Sequence, residues 1–240
     1  MNVREILGVK FVNAGIMETV ENGMRLMEER KNAYVAALGT EQLQAARRDG
    51  RLMEAVRGAE LILPQGSGIL CASHILGLPL KGRISALDFA SALMARMSEK
   101  GMSIFIVGPD TELVELAEEK IKSRYPGIIA AGSDGGFCTS EIELTAMINQ
   151  AAPDLLLVAL GSPRQELWMH RCRGKLKAGL MLGFGEELKA LAGELVIAPK
   201  RWRDSGFEWL YWLIKEPWRI PRMLRRTGLI FTALWRRLVG

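Results

Sequence analysis

The sequence is short of the residues that hold metals or cross-link chains. It has only two histidines, His74 and His170, and three cysteines, Cys71, Cys138 and Cys172, in 240 residues. Neither histidine falls in a metal-binding motif, so no metal site is expected. The cysteines are odd in number, far apart and lack the paired spacings that bind zinc, which points to reduced, packed thiols. Long apolar runs are missing too, since no window approaches the roughly 18 consecutive apolar residues needed to span a bilayer. The start, MNVREILGVK, carries no apolar signal core followed by a small-residue cleavage site. A cytoplasmic location is expected on both grounds. Neither G-x-G-x-x-G nor a P-loop occurs, so a nicotinamide or ATP site is unsupported and no cofactor is expected.

Composition otherwise fits a folded globular chain, with 49% apolar and 25% charged residues giving no sign of disorder. The formal net charge of +5 hides an asymmetry. From Pro199 to Gly240 ten Lys and Arg face three acids, a local charge of +7, whereas the first 198 residues carry −2. Five of the six tryptophans (Trp202, Trp209, Trp212, Trp218 and Trp235) lie in that same basic segment. Indole at the headgroup level, with cations toward anionic lipid, is the recipe for an interfacial helix. Packing on the domain or on another subunit, and nucleic-acid binding, are the competing readings. No nucleic-acid recognition module is present, so an anionic membrane surface is preferred and a homo-oligomer stays open. Pro217 and Pro221 divide the segment into two or three short helices.

Two units are therefore expected: an α/β domain over 1–198 and a basic, Trp-rich helical appendage over 199–240. Within the first, short aliphatic runs alternate with amphipathic stretches, the pattern of βαβ units in a mostly parallel, Rossmann-like sheet flanked by helices. Strands are predicted near 9–12, 33–38, 60–63, 103–107, 127–131, 154–160 and 178–183. Helices are predicted near 17–30, 41–57, 68–77, 86–100, 111–124, 140–151, 163–175 and 185–192. Asp88 and Asp154 read as punctuation of these elements.

Ligands of such sheets sit beyond the carboxyl ends of the strands, so the turns there hold the candidate site. They contain Leu38-Gly39-Thr40, Pro64-Gln65-Gly66-Ser67-Gly68, Gly108-Pro109-Asp110, Gly161-Ser162-Pro163-Arg164-Gln165-Glu166 and Gly183-Phe184-Gly185. In the fourth, Ser162 reads as N-cap, Pro163 as the first helical residue and Gln165 as completing a capping box. The helix start beside Arg164 would suit a phosphate, or the capping alone explains these residues. The glycines of the second and fifth turns either let backbone approach a ligand or supply φ > 0.

Three segments, TEQLQAARRDGRLMEAVRGAELILPQG, PDLLLVALGSPRQELW and APKRW with GFEWLYWLIKEPWR, carry a likeness. On these the chain resembles the WecG/TagA/CpsF family of bacterial glycosyltransferases, from Gly8 to about Arg226. The resemblance implies a metal-independent Rossmann-like enzyme that moves an N-acetylhexosamine, such as N-acetylmannosamine, from a UDP-sugar to an undecaprenyl-diphosphate-linked acceptor. The pathways implied are wall teichoic acid or related polysaccharide synthesis. It also implies a C-terminal appendage that meets the inner face of the membrane and closes the site with arginines. Arg83, Gln165, Glu166, Arg219 and Arg222 stand at the family's polar site positions. Gly39, Thr40, Gly66, Gly161, Arg164, Gly183 and Gly185 line the implied substrate site.

Elsewhere the family pattern is replaced. Its Thr-Pro-Asn is Ala37-Leu38-Gly39, the aspartate of its Pro-Asp-Gly turn is Gln65, an arginine of the tail is Trp212, and its Phe-Asp pair is Leu188-Lys189. The aspartate is the family's proposed general base, and an amide cannot accept a proton at neutral pH. Two functions follow as alternatives: an active transferase with a relocated base, or a catalytically impaired paralogue that binds substrate or a partner at the membrane. Glu186 and Glu187 are the carboxylates nearest in sequence for a relocated base. First-turn acids stabilising a helix N-terminus are the preferred account of both.

Overall fold

The fold is seen in a computed structural model that describes residues 2–30, 32–135, 140–195, 202 and 215. Its strands are β1 (Val3–Ile6), β2 (Val9–Val12), β3 (Ala33–Leu38), β4 (Leu61–Pro64), β5 (Ser103–Val107), β6 (Ile129–Asp134), β7 (Leu155–Val158) and β8 (Leu180–Gly183). The helices are α1 (Ile16–Glu28), α2 (Thr40–Arg48), α3 (Gly50–Arg57), α4 (Ser67–Ile75), α5 (Ala86–Lys100), α6 (Thr111–Arg124), α7 (Glu141–Ala151), α8 (Arg164–Cys172) and α9 (Gly185–Ala192). Six strands form one parallel sheet in the order β4-β3-β8-β7-β5-β6. The expected parallel α/β architecture is therefore present.

Period-two alternation sorts the strand side chains onto two buried faces. Val35, Leu63, Ile104, Ile106, Leu155, Leu157, Leu180 and Leu182 join α1, α5, α6 and α9 in one core. Tyr34, Phe105, Leu156, Val158 and Met181 face α7 and α8 on the other side. A third cluster sets Leu38 and Ile62 against α2, α3 and α4. Burial on both faces is why these strands read as continuous aliphatic runs. Each fully buried Leu or Ile contributes about 1.5–3 kcal/mol relative to exposure.

Connections leave β5 toward β6 and β7 toward β8, in opposite directions along the sheet. Such a divergence opens a crevice at the carboxyl ends. Opposite that edge, Asp154 accepts from both the backbone N–H and the hydroxyl of Ser103 (2.8 and 2.9 Å) and from Arg30 (2.7 Å), tying the starts of β5 and β7 together. Asp88 receives the hydroxyl of Ser85, the N-cap of α5, at 2.6 Å. Punctuation is thus the role of both acids.

Two departures from the predicted elements have local causes. An antiparallel hairpin of β1 and β2 opens the chain, and β1 has no counterpart among the predicted strands. Only Ile6 of its four residues is buried, so it carries almost no apolar signal. Its turn, Leu7-Gly8, has positive φ at both residues (52° and 85°), the twist that suits a two-residue hairpin. The helix predicted over 41–57 is two helices. Asp49 is extended (φ −120°, ψ 110°), and its Oδ1 accepts from the N–H groups of Arg51 and Leu52 (2.9 and 3.4 Å), starting α3 afresh.

No helix among the described residues is long and apolar enough to cross a membrane. Apart from Trp202 and Lys215, the appendage expected over 199–240 lies outside the described residues. The caps allow a direct check of the α2–α3 break. Asp49→Ala should lower stability by about 1 kcal/mol, the usual cost of losing an N-cap carboxylate. A urea midpoint unchanged from the parent would show that Asp49 does not start α3.

Candidate functional site at the carboxyl ends of the strands

The strand-end turns leave the sheet in register, because ladder hydrogen bonds run one residue past the strands. The N–H of Gln65 donates to Leu38 O (3.0 Å), that of Ala159 to Val107 O (2.7 Å) and that of Phe184 to Val158 O (2.8 Å). Two groups of turns result. The first joins the ends of β3 and β4. A Cβ on Gly66 would lie 3.3 Å from Gly39 Cα, and one on Gly68 would lie 2.2 Å from Thr40 Oγ1. Gly66 has φ −105°, so the positive-φ explanation fails for it, and close approach is the reason for the glycine. The backbone that approaches is the protein's own Gly39-Thr40 turn. Arg83 precedes Ile84, whose N–H donates to Pro64 O (3.1 Å), so this loop runs directly beside the Gln65 turn.

The second group joins the ends of β7 and β8. Gln165 and Glu166, in the first turn of α8, are only 6% and 1% exposed. A Cβ on Gly183 would lie 3.0 Å from Gln165 Nε2, and one on Gly185 would lie 3.1 Å from Gln165 Oε1 and 3.3 Å from Gly161 Cα. These glycines make room for the Gln165 amide. The predicted capping box is not formed: α8 begins at Arg164, Pro163 takes the cap position, and no side chain caps the helix. Gln165 is instead turned inward and donates from Nε2 to Glu166 Oε1 (3.1 Å). Burial of this pair under the Gly183-Phe184-Gly185 turn wins over capping. Arg164 is exposed at the same helix start.

Gln165 Oε1 and Glu166 Oε2 are buried and make no hydrogen bond of good geometry with a described residue. A buried polar atom without a partner costs roughly 1–3 kcal/mol and calls for a reason. Burial pushes the Glu166 carboxyl above its ordinary range and the Glu187 charge adds to this. Its own backbone N–H, the Gln165 amide and the Ser162 hydroxyl oppose the rise.

One hydrogen bond joins the two groups. Gln65 Oε1 accepts from the Ala86 N–H (3.2 Å), which leaves Nε2 to donate to Glu187 Oε1 at 2.6 Å. Glu187 also accepts from its own N–H in the first turn of α9, so stabilising a helix start is one of its roles. Its link across 122 residues to Gln65 is the other. Burial is the main cause that raises the Glu187 carboxyl, and the Glu186 charge acts in the same direction. A separate surface concavity of about 220 Å³ runs along α1 and α5 past Met17, Met24, Arg96 and Lys100. None of its lining residues belongs to the strand-end cluster.

Residues 4–240 match the model of the glycosyl transferase WecG/TagA/CpsF family. The chain belongs to that family. It is similar to the N-acetylglucosaminyldiphosphoundecaprenol N-acetyl-beta-D-mannosaminyltransferases of Bacillus spizizenii (strain ATCC 23059 / NRRL B-14472 / W23) and Bacillus subtilis (strain 168). Each is 28% identical over 225 residues, covering 93% of this chain and 88% of the relative. The protein of the same name from Staphylococcus aureus (strain MW2) is 28% identical over 221 residues, or 91% of this chain and 87% of the relative.

Within this family member, the turns carrying Gly39, Thr40, Gln65, Gly66, Arg83, Gly161, Arg164, Gln165, Glu166, Gly183 and Gly185 all lie at one edge of the sheet. Arg219, Arg222 and Trp212 lie outside the described residues. Leu188 fills the core beside Gly108, whereas Lys189 is exposed. The residue whose importance the sequence understated is Glu187, for which the nearest signal was a pair of acids after Gly185.

The buried carboxyl of Glu166 has a consequence for pH. Its folded value is raised, so the folded chain holds this proton more tightly than the unfolded chain does. Its contribution to stability is therefore fullest below the unfolded glutamate value, about 4.3, and is lost as pH rises through the folded value. Glu166→Gln should consequently be more stable than the parent at neutral pH, with the difference shrinking toward acid. Thermal unfolding across that range checks this, and a difference independent of pH would refute the desolvated carboxyl.

Proposed function

We propose that this chain transfers an N-acetylhexosamine, such as N-acetylmannosamine, from a UDP-sugar to a polyprenyl-diphosphate-linked sugar acceptor in cell-wall or extracellular polysaccharide synthesis. Membership of a glycosyltransferase family supports the reaction class. The names of relatives aligned over nearly the whole chain support the acceptor and the sugar. The structural observation that carries the reading is the meeting of the β3–β4 and β7–β8 turns at the ends of the parallel strands, joined by the hydrogen bond from Gln65 to the partly exposed Glu187. A sugar presents hydroxyl and acetamido groups to polar side chains gathered in this way, and an apolar ligand would not.

In this reading the turns carrying Gly161, Gly183 and Gly185 form the donor-sugar wall, and Gln165 and Glu166, buried beneath it, hold that wall in shape. Arg83, Arg219 and Arg222 meet the diphosphate charge that grows on the leaving nucleotide, where arginine forks suit phosphate geometry. Gly39, Thr40 and Gly66 shape the opposite wall, and Arg164 adds positive charge at the rim. The +7 segment after Ala198 holds the protein at an anionic cytoplasmic leaflet, where the lipid-linked acceptor is presented.

Calorimetric titration with UDP and UDP-N-acetylhexosamines, beside a transfer assay on a lipid-linked acceptor analogue, tests the reaction. Binding and turnover are expected, and Arg219→Ala or Arg222→Ala should each lower kcat on the order of 100-fold, as loss of a transition-state charge partner does. Failure to bind any uridine nucleotide would end the transferase reading. Removing residues 199–240 should abolish sedimentation with anionic vesicles, and undiminished sedimentation would exclude the membrane role.

A further inference from the structure

We infer that Glu187 is the general base of the transfer and that Gln65 is the residue that positions it. The inference rests on the glycosyltransferase reading above and adds to it the group that takes the acceptor's proton. In the step, the acceptor hydroxyl oxygen forms its bond to the anomeric carbon of the donor sugar. The bond from that carbon to the nucleotide's phosphate oxygen breaks, and the diphosphate leaves with the electron pair. The hydroxyl proton must go to a basic group within hydrogen-bond reach.

Gln65, at the end of β4, cannot be that group, because an amide nitrogen has no free electron pair to offer and its oxygen is a very weak base. The geometry shows what it does instead. With its oxygen committed to the Ala86 N–H at the start of α5, the amide has one orientation, and its nitrogen is directed at Glu187 Oε1. The 2.6 Å separation is that of a short, charge-assisted hydrogen bond. A carboxylate has about four lone-pair sites, so the Gln65 amide and the Glu187 N–H leave others for a substrate hydroxyl.

Three carboxylates, Glu166, Glu186 and Glu187, stand at the β7–β8 turns, and exposure separates them. Glu166 is 1% exposed, and its carboxylate accepts from the buried Gln165 amide (3.1 Å). Glu186 is exposed to solvent. Glu187 lies between, partly exposed and at the junction of the two turn groups. Of these three, Glu187 combines access for a substrate with a direction fixed by Gln65. Its burial also raises its proton affinity, the direction a base working near neutral pH requires.

The test uses the full chain, a UDP-N-acetylhexosamine and a lipid-linked N-acetylglucosaminyl diphosphate as acceptor. Glu187→Gln should lower kcat by about 100- to 10,000-fold, with calorimetric affinity for the UDP-sugar unchanged. Exchanging the two side chains, Gln65→Glu together with Glu187→Gln, places the carboxylate on the other end of the same hydrogen bond and should recover at least tenfold of the loss. Gln65→Leu should reduce kcat and leave the KM for the donor in place. A Glu187→Gln variant that turns over at the parental rate removes the base assignment while the transferase reading stands. So does one that loses donor binding together with activity and is not rescued by the exchange. A parent chain that binds the UDP-sugar and never transfers it removes the transferase reading, and the base with it.

Discussion

A parallel sheet covered by helices on both faces has no place within it for an uncompensated polar group, and this constraint arranges everything else in the molecule. Side chains from Val35 to Leu182 face apolar neighbours on one side or the other. Polar chemistry is pushed to the two ends of the strands. At the amino ends it is structural, with Asp154 fastening Ser103 and Arg30. At the carboxyl ends the turns diverge, and the buried Gln165–Glu166 pair and the Gln65–Glu187 link gather there.

Glycine shapes this edge by absence of bulk more than by backbone freedom. Gly66 and Gly68 let the turn after β4 press against Gly39 and Thr40, and Gly183 and Gly185 admit the Gln165 amide. Only Gly161 among these site glycines has a positive φ, at 74°. The turns are therefore packed on one another before any ligand enters, which suits a site whose polar groups must be held in place to act on a transition state.

Gln65, at the position where the family resemblance implies an acid, looks in isolation like the loss of a catalytic group. Its surroundings change that judgement. The amide bridges the β3–β4 turns to the β7–β8 turns through Glu187, and a carboxylate sits one hydrogen bond away from the position where the family's aspartate is expected. A carboxylate at both positions would place two like charges about a hydrogen bond apart, a costly arrangement in a desolvated setting. An amide opposite an acid relieves that cost, so Gln65 and Glu187 are best understood as a pair.

The sequence by itself determined the class of fold and which turns gather at the carboxyl end of the sheet. Aliphatic runs such as LLLV and helical stretches between them carry their own periodicity, and each strand end is marked by its glycine. The hairpin strand Val3–Ile6 and the break at Asp49 were missed because one buried residue, or one cap, is too little local signal. Tertiary structure decided which polar side chains act together. Gln165 abandons the capping box because the Gly183-Phe184-Gly185 turn covers it, and Gln65 meets Glu187 across 122 residues. Periodicity and capping are properties of neighbours in the chain, whereas pairing of distant groups depends on the order of strands in the sheet, which no local pattern encodes.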